Sequence, residues 1–132
     1  MPNKAGFFVV DLLKARQTIA EQEEAGGRVF HLPANISSKD EFFEGVRSTL
    51  PLDPDLLSNQ SWDALADSLW AGLDSLLEEK VVVVWPGGSK MEAQAPEDFA
   101  IAVNILTELA DSLADVEVTA GATKQLLVLL VI

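Results

Sequence analysis

The sequence predicts an α/β fold: a small three-stranded parallel sheet packed with helices, with an extra helix at the N-terminus. Two segments, KVVVVW at residues 80–85 and QLLVLLVI at residues 125–132, are apolar without alternation. Strands covered on both faces, as in a parallel sheet, have that pattern. The stretches between strands carry apolar residues at helical spacing, and strands separated by helices imply right-handed crossovers. The 132 residues are 48% hydrophobic, enough for one core without covalent staples.

Residues 7–25 read as a helix entered through a short extended piece at 7–10. Leu12, Leu13, Ala15, Ile19 and Ala20 give it a modest apolar side. Glu21, Glu23 and Glu24 crowd its end, where the helix dipole favours cations, and Gly26-Gly27 stops it. Residues 28–34, RVFHLPA, read as the first strand. A helix over 39–50 follows from the spacing of Phe42, Phe43, Val46 and Leu50, with Ser38 and Glu41 in capping-box spacing. Pro51 and Pro54 enclose a loop, and Ser61 suits the N-cap of a helix over 61–79. After the strand at 80–85, Pro86-Gly87-Gly88 makes a sharp turn. Pro96, Glu97 and Asp98 open a helix over 97–113, with Phe99, Ala102, Val103, Leu106, Leu109, Ala110 and Leu113 as its core stripe. A loop around Gly121 then leads to the strand at 125–132.

The helix at 61–79 has two unlike faces. Trp62, Leu65, Leu69, Leu73 and Leu76 follow the 3, 4, 4, 3 spacing of a buried stripe. Asp63, Asp67, Trp70 and Asp74 lie opposite, within roughly a 60° wedge at 100° per residue. Three carboxylates without a base suit a basic partner. Trp70 has three readings: it folds back onto the core, packs under the 51–54 loop, or anchors a binding patch.

The net charge is −12 and is unevenly placed. Residues 1–38 carry four acids and four bases, residues 39–79 ten acids against Lys39 and Arg47, and residues 92–117 seven acids and no base. Such a field attracts cationic partners and repels nucleic acid and anionic membranes. It also serves solubility. No stretch approaches the roughly 18 apolar residues of a membrane span, and the apolar run at 6–10 is too short for a secretory signal. The absence of cysteine excludes disulfides, a thiolate nucleophile and cysteine-ligated zinc, and it fits a reducing cytoplasm.

An enzyme is not expected, and neither are catalytic, cofactor-binding or metal-binding residues. His31 is the only histidine, and its place between Phe30 and Leu32 in a strand reads as structural. Gly87-Gly88-Ser89-Lys90 lacks the spacing of a phosphate loop and has Met91 where the hydroxyl belongs. Asp63 and Asp67 are one turn apart, yet their outward face implies none of the burial that separates two carboxyl pKa values.

The order of elements and the segment Trp62-Asp63-Ala64-Leu65-Ala66-Asp67-Ser68-Leu69 resemble the barstar family of ribonuclease inhibitors. The resemblance covers about residues 28–132, which it implies to be a barstar-like domain preceded by an N-terminal extension at 1–27. It implies inhibition by occlusion: helix carboxylates occupy the substrate phosphate positions of a basic ribonuclease or nuclease toxin. Asp63 and Asp67 match the family's helix aspartates, with Asp67 central, and Glu108 falls at its later acidic position. Asp63, Asp67, Trp70, Asp74 and Glu108 are therefore the expected partner-binding residues. Leu57-Ser58-Asn59-Gln60 stands where the family has a tyrosine-rich loop, and Ala66 stands in place of a tryptophan. The alternative is a non-inhibitory interaction module of the same fold that binds another basic protein.

Overall fold

The computed structural model describes residues 5–132. Its elements are β1 (Gly6–Val10), α1 (Leu12–Glu24), β2 (Arg28–His31), α2 (Lys39–Thr49), α3 (Trp62–Asp74), β3 (Lys80–Pro86), α4 (Ser89–Gln94), α5 (Pro96–Leu113) and β4 (Gln125–Val131). The sheet has four strands rather than three, in the order β1-β4-β3-β2, and every pair is parallel. The extra strand is the piece expected to lead a helix. GFFVV is rich in residues that favour strands, and it pairs with β4 from Gly6 opposite Leu127 to Val10 opposite Val131. Asp11 then caps the helix by accepting from the Lys14 N–H at 2.8 Å, so α1 starts at Leu12. Residues 1–4 of the expected 1–27 extension lie outside the described residues.

Both central strands are covered on both faces. Val81, Val83, Trp85, Leu126, Val128 and Leu130 pack with Phe42, Phe43, Leu65, Leu69 and Leu106 from α2, α3 and α5. Val82, Val84, Leu127, Leu129 and Val131 pack on the other face with Ala15 and Ile19 of α1. The buried face of α1 is the predicted one only in part, through Ala15 and Ile19. Ala15, Thr18 and Gln22 are buried, while Leu12 and Leu13 are exposed. Residues 15, 18, 19 and 22 form the stripe over the sheet. Gly26 at φ +83° closes α1, with its N–H bonded to Glu23 O and the Gly27 N–H to Gln22 O, a Schellman arrangement.

Several boundaries differ from expectation. The strand at β2 ends at His31, which is exposed rather than structural because β2 is an edge strand. The capping box of α2 is displaced by one residue. The Ser38 hydroxyl accepts from the Glu41 N–H, but the Glu41 carboxylate reaches the Ser37 N–H and hydroxyl. Those Ser37 contacts, the hydroxyl's first, hold the Glu41 carboxyl below its ordinary pKa. Gly87-Gly88 form the expected turn, and the short helix α4, which has no separate signal in the sequence, follows it from Ser89. No helix among the described residues is long and apolar enough to cross a membrane.

The helix expected at 61–79 ends at Asp74. Beyond it, the buried Lys124 ammonium donates to Leu76 O at 2.6 Å and Glu78 O at 2.8 Å. These bonds collect carbonyls that a longer helix would use internally and turn the chain into β3. Earlier in α3, the 51–53 loop lies directly on the helix, where the Asp53 N–H donates to Ser68 O at 3.0 Å. A Cβ on Gly72 would overlap the Pro51 carbonyl. Gly72→Ala is therefore expected to destabilise the protein by about 3 kcal/mol through overpacking, measured by urea unfolding. A loss below the level of ordinary surface substitutions would show that the loop moves freely.

Candidate functional site

The orientation of α3 is set at its first turn. The Ser61 hydroxyl accepts from the Ala64 N–H at 3.0 Å. The Trp62 ring packs on Phe43 and Phe42 of α2, with centroids 4.9 and 5.8 Å apart. The Lys39 ammonium sits 5.6 Å from the Trp62 centroid and donates to Gln60 O at 3.0 Å. With Trp62 pinned, Leu65, Ser68, Leu69, Gly72 and Leu73 are buried. Asp63 and Asp67 are left on the outer side of the helix, and Trp70 and Asp74 are half-buried.

Trp70 turns toward α5, not toward the 51–54 loop. Its indole N–H donates to the Ser112 hydroxyl at 3.0 Å, and its ring packs at the margin of the core. Between the two helices runs an open groove of about 430 Å³. Ala66, Asp67 and Trp70 form one wall; Ile105, Glu108, Leu109 and Ser112 form the other, and Val118 also lines the groove. The groove thus carries two carboxylates and no base over a largely apolar floor. Asn104 donates to a Glu108 oxygen at 3.3 Å, which helps orient it.

Three of the five expected residues, Asp67, Trp70 and Glu108, meet in this groove. Asp63 lies one turn before Asp67 on the exposed side of α3, and Asp74 lies one turn after Trp70; neither lines the groove. Ile105, Leu109, Ser112 and Val118 escape a reading of the sequence as binding residues. The 105, 108, 109, 112 spacing on α5 is a usable signal, since it marks one helix face that overlaps the core stripe at Leu109.

The loop entering α3 is also built. Arg47 donates from Nε to Leu56 O at 2.7 Å and from Nη2 to Asn59 Oδ1 at 2.6 Å. Lys39 and Arg47, the only bases of residues 39–79, are thus engaged by the loop rather than by the α3 carboxylates. Leu56 is buried beneath the loop, whereas Leu57 is 93% exposed, an apolar side chain held out ahead of the acidic helix.

Chemically, two carboxylates without a base suit a cationic group. Among the described residues, no three His, Cys, Asp or Glu groups are placed to hold a metal ion. A guanidinium between Asp67 and Glu108 would gain charge-assisted hydrogen bonds, with its methylene stem against Trp70. Residues 28–127 match the family model described as Barstar (barnase inhibitor). No curated protein and no solved structure matches the chain.

Proposed function

Because the chain belongs to the barstar family, we propose that it is a ribonuclease inhibitor or immunity protein that occludes the active site of a basic ribonuclease or nuclease toxin with α3 and the adjoining groove. The observation that carries this reading is the convergence of Asp67, Trp70 and Glu108 on one open groove without a base. A ribonuclease active site holds phosphates with cationic side chains. In this reading Asp67 and Glu108 engage such cations, Asp63 extends the charge along α3, and Trp70 offers an apolar contact. The chain catalyses nothing here; it competes with RNA for the site. In this reading the barstar-like domain at 28–132 carries the inhibitory surface, and the protein acts in the cytoplasm, where a leaked or unexported nuclease does damage.

The long acidic stretches add steering. A net charge of −12 accelerates encounter with a basic enzyme, and salt weakens that effect. Titrating a basic secreted ribonuclease from the same source with this protein is expected to abolish RNA cleavage at one-to-one stoichiometry. The association rate is expected to fall about tenfold or more between low and physiological salt. A complex that forms while RNA cleavage continues unimpaired would instead identify the chain as a non-inhibitory binding module.

A further inference from the structure

β1 closes one edge of β4, and among the described residues no strand pairs with its own outer edge. In a parallel ladder, alternate residues turn both backbone groups toward the same neighbour. The Ile132 N–H donates to Val10 O at 3.0 Å, which assigns Gly6, Phe8 and Val10 to β4. The N–H and C=O groups of Phe7 and Val9 therefore point away from the sheet. No residue of GFFVV is charged and none is fully buried. Edge strands are ordinarily guarded by charge, proline or a bulge. The opposite edge has such a guard: β2 is RVFH, with Arg28 and His31 exposed and the Arg28 guanidinium 4.9 Å from the Phe30 centroid.

Exposed apolar side chains stand on this strand and close to its end in the chain: Val9 is 58% exposed, Leu13 66% and Ile132, whose N–H reaches Val10, 69%; Leu12 is exposed as well. The charge map identifies what can cover them. A second copy brings another −12, and it is repelled by the acidic stretches at 39–79 and 92–117. Residues 1–38 are the part of the sequence with no net charge, four acids against four bases, and they contain the whole open strand.

We infer that β1 pairs antiparallel with β1 of a second copy of this chain, joining two four-stranded sheets into one. With Phe8 on the two-fold axis, Phe7 of one copy faces Val9 of the other. That register satisfies four N–H and four C=O groups with four hydrogen bonds. The contact is self-complementary, so it closes at a dimer and leaves no open β1 edge for further growth. The acidic groove between α3 and α5 takes no part in it. Because like-charged bodies approach, the dimer strengthens with added salt, the opposite of nuclease binding.

Analytical ultracentrifugation of the full chain across the micromolar range, at low and high salt, tests this. The expected result is a shift from the 14.2 kDa chain mass to twice that value, at lower concentration when salt is high. Hydrogen exchange at the Phe7 and Val9 amides should slow as concentration rises. Val9→Lys places a charge at the middle of the edge, and Val9→Pro removes one outward donor. Both are expected to remain monomeric with parent-like thermal unfolding. A parent chain that stays monomeric throughout overturns the inference. So does a dimer that survives Val9→Lys, or one lost in Val9→Lys but kept in Val9→Pro while the Phe7 and Val9 amides of the parent dimer stay unprotected.

Discussion

Asp67→Ala is expected to weaken inhibition of the ribonuclease by about 2–5 kcal/mol, the range known for truncating one member of a desolvated charge pair, to which barnase–barstar itself contributes. That corresponds to roughly 30- to 4,000-fold in the inhibition constant. The loss should appear in the dissociation rate, because the partner's cation is left buried without its counter-charge. Asp67 makes no hydrogen bond that holds α3 in place, whose cap and core contacts come from Ser61, Trp62 and the leucines. Its thermal unfolding should therefore be unchanged, which separates a binding defect from a folding one. Glu108→Ala, on the opposite wall, should cost less than Asp67→Ala. Asp74→Ala, outside the groove, should cost about 1 kcal/mol or less, as a rim charge does. Titration of RNA cleavage by each variant checks the order. Equal losses for Asp67 and Asp74 would mean that only the general field of α3 matters.

The largest stability effect is expected at Trp85. Its side chain is fully buried, with its ring centroid 5.1 Å from Phe42 and 5.6 Å from Phe99. It therefore ties β3 to both α2 and α5. Trp85→Ala should destabilise the protein by about 3–5 kcal/mol through lost burial and a residual cavity, measured by denaturant unfolding. Among the described residues the buried indole nitrogen has no hydrogen-bond partner, so Trp85→Phe removes an unsatisfied donor along with some volume. The phenylalanine variant should consequently lose less than half as much as the alanine variant. Similar losses for the two would show that the indole nitrogen is in fact satisfied. Loosening α5 also moves one wall of the groove, so Trp85→Ala should weaken inhibition even in the fraction that remains folded.

The central strands are legible in the sequence because their apolar runs admit only two-sided burial, and β3 and β4 show it. The buried stripes of α2, α3 and α5 are legible from the spacing of Phe42, Leu65, Leu69, Leu106 and Leu113, all of which are buried. The strand β1 is largely hidden. Five residues ahead of a helical pattern carry no periodicity that separates strand from helix, and only the long-range partner β4 decides between them. The end of α3 is hidden for a related reason: Lys124 acts on Leu76 and Glu78 from far along the chain. At the candidate site, the acidic wedge is visible in the helix itself. The wall from α5 is not, because the approach of Ser112 to Trp70 depends on how two helices pack.

The most direct measurement is competition between this protein and a small active-site ligand, such as a nucleoside monophosphate, for the ribonuclease. If Asp67 and Glu108 occupy the sites of substrate phosphates, binding is mutually exclusive. The apparent dissociation constant of the complex then rises in proportion to nucleotide concentration, with no plateau. A ternary complex of nuclease, nucleotide and this protein, formed with undiminished affinity, would contradict occlusion of the active site.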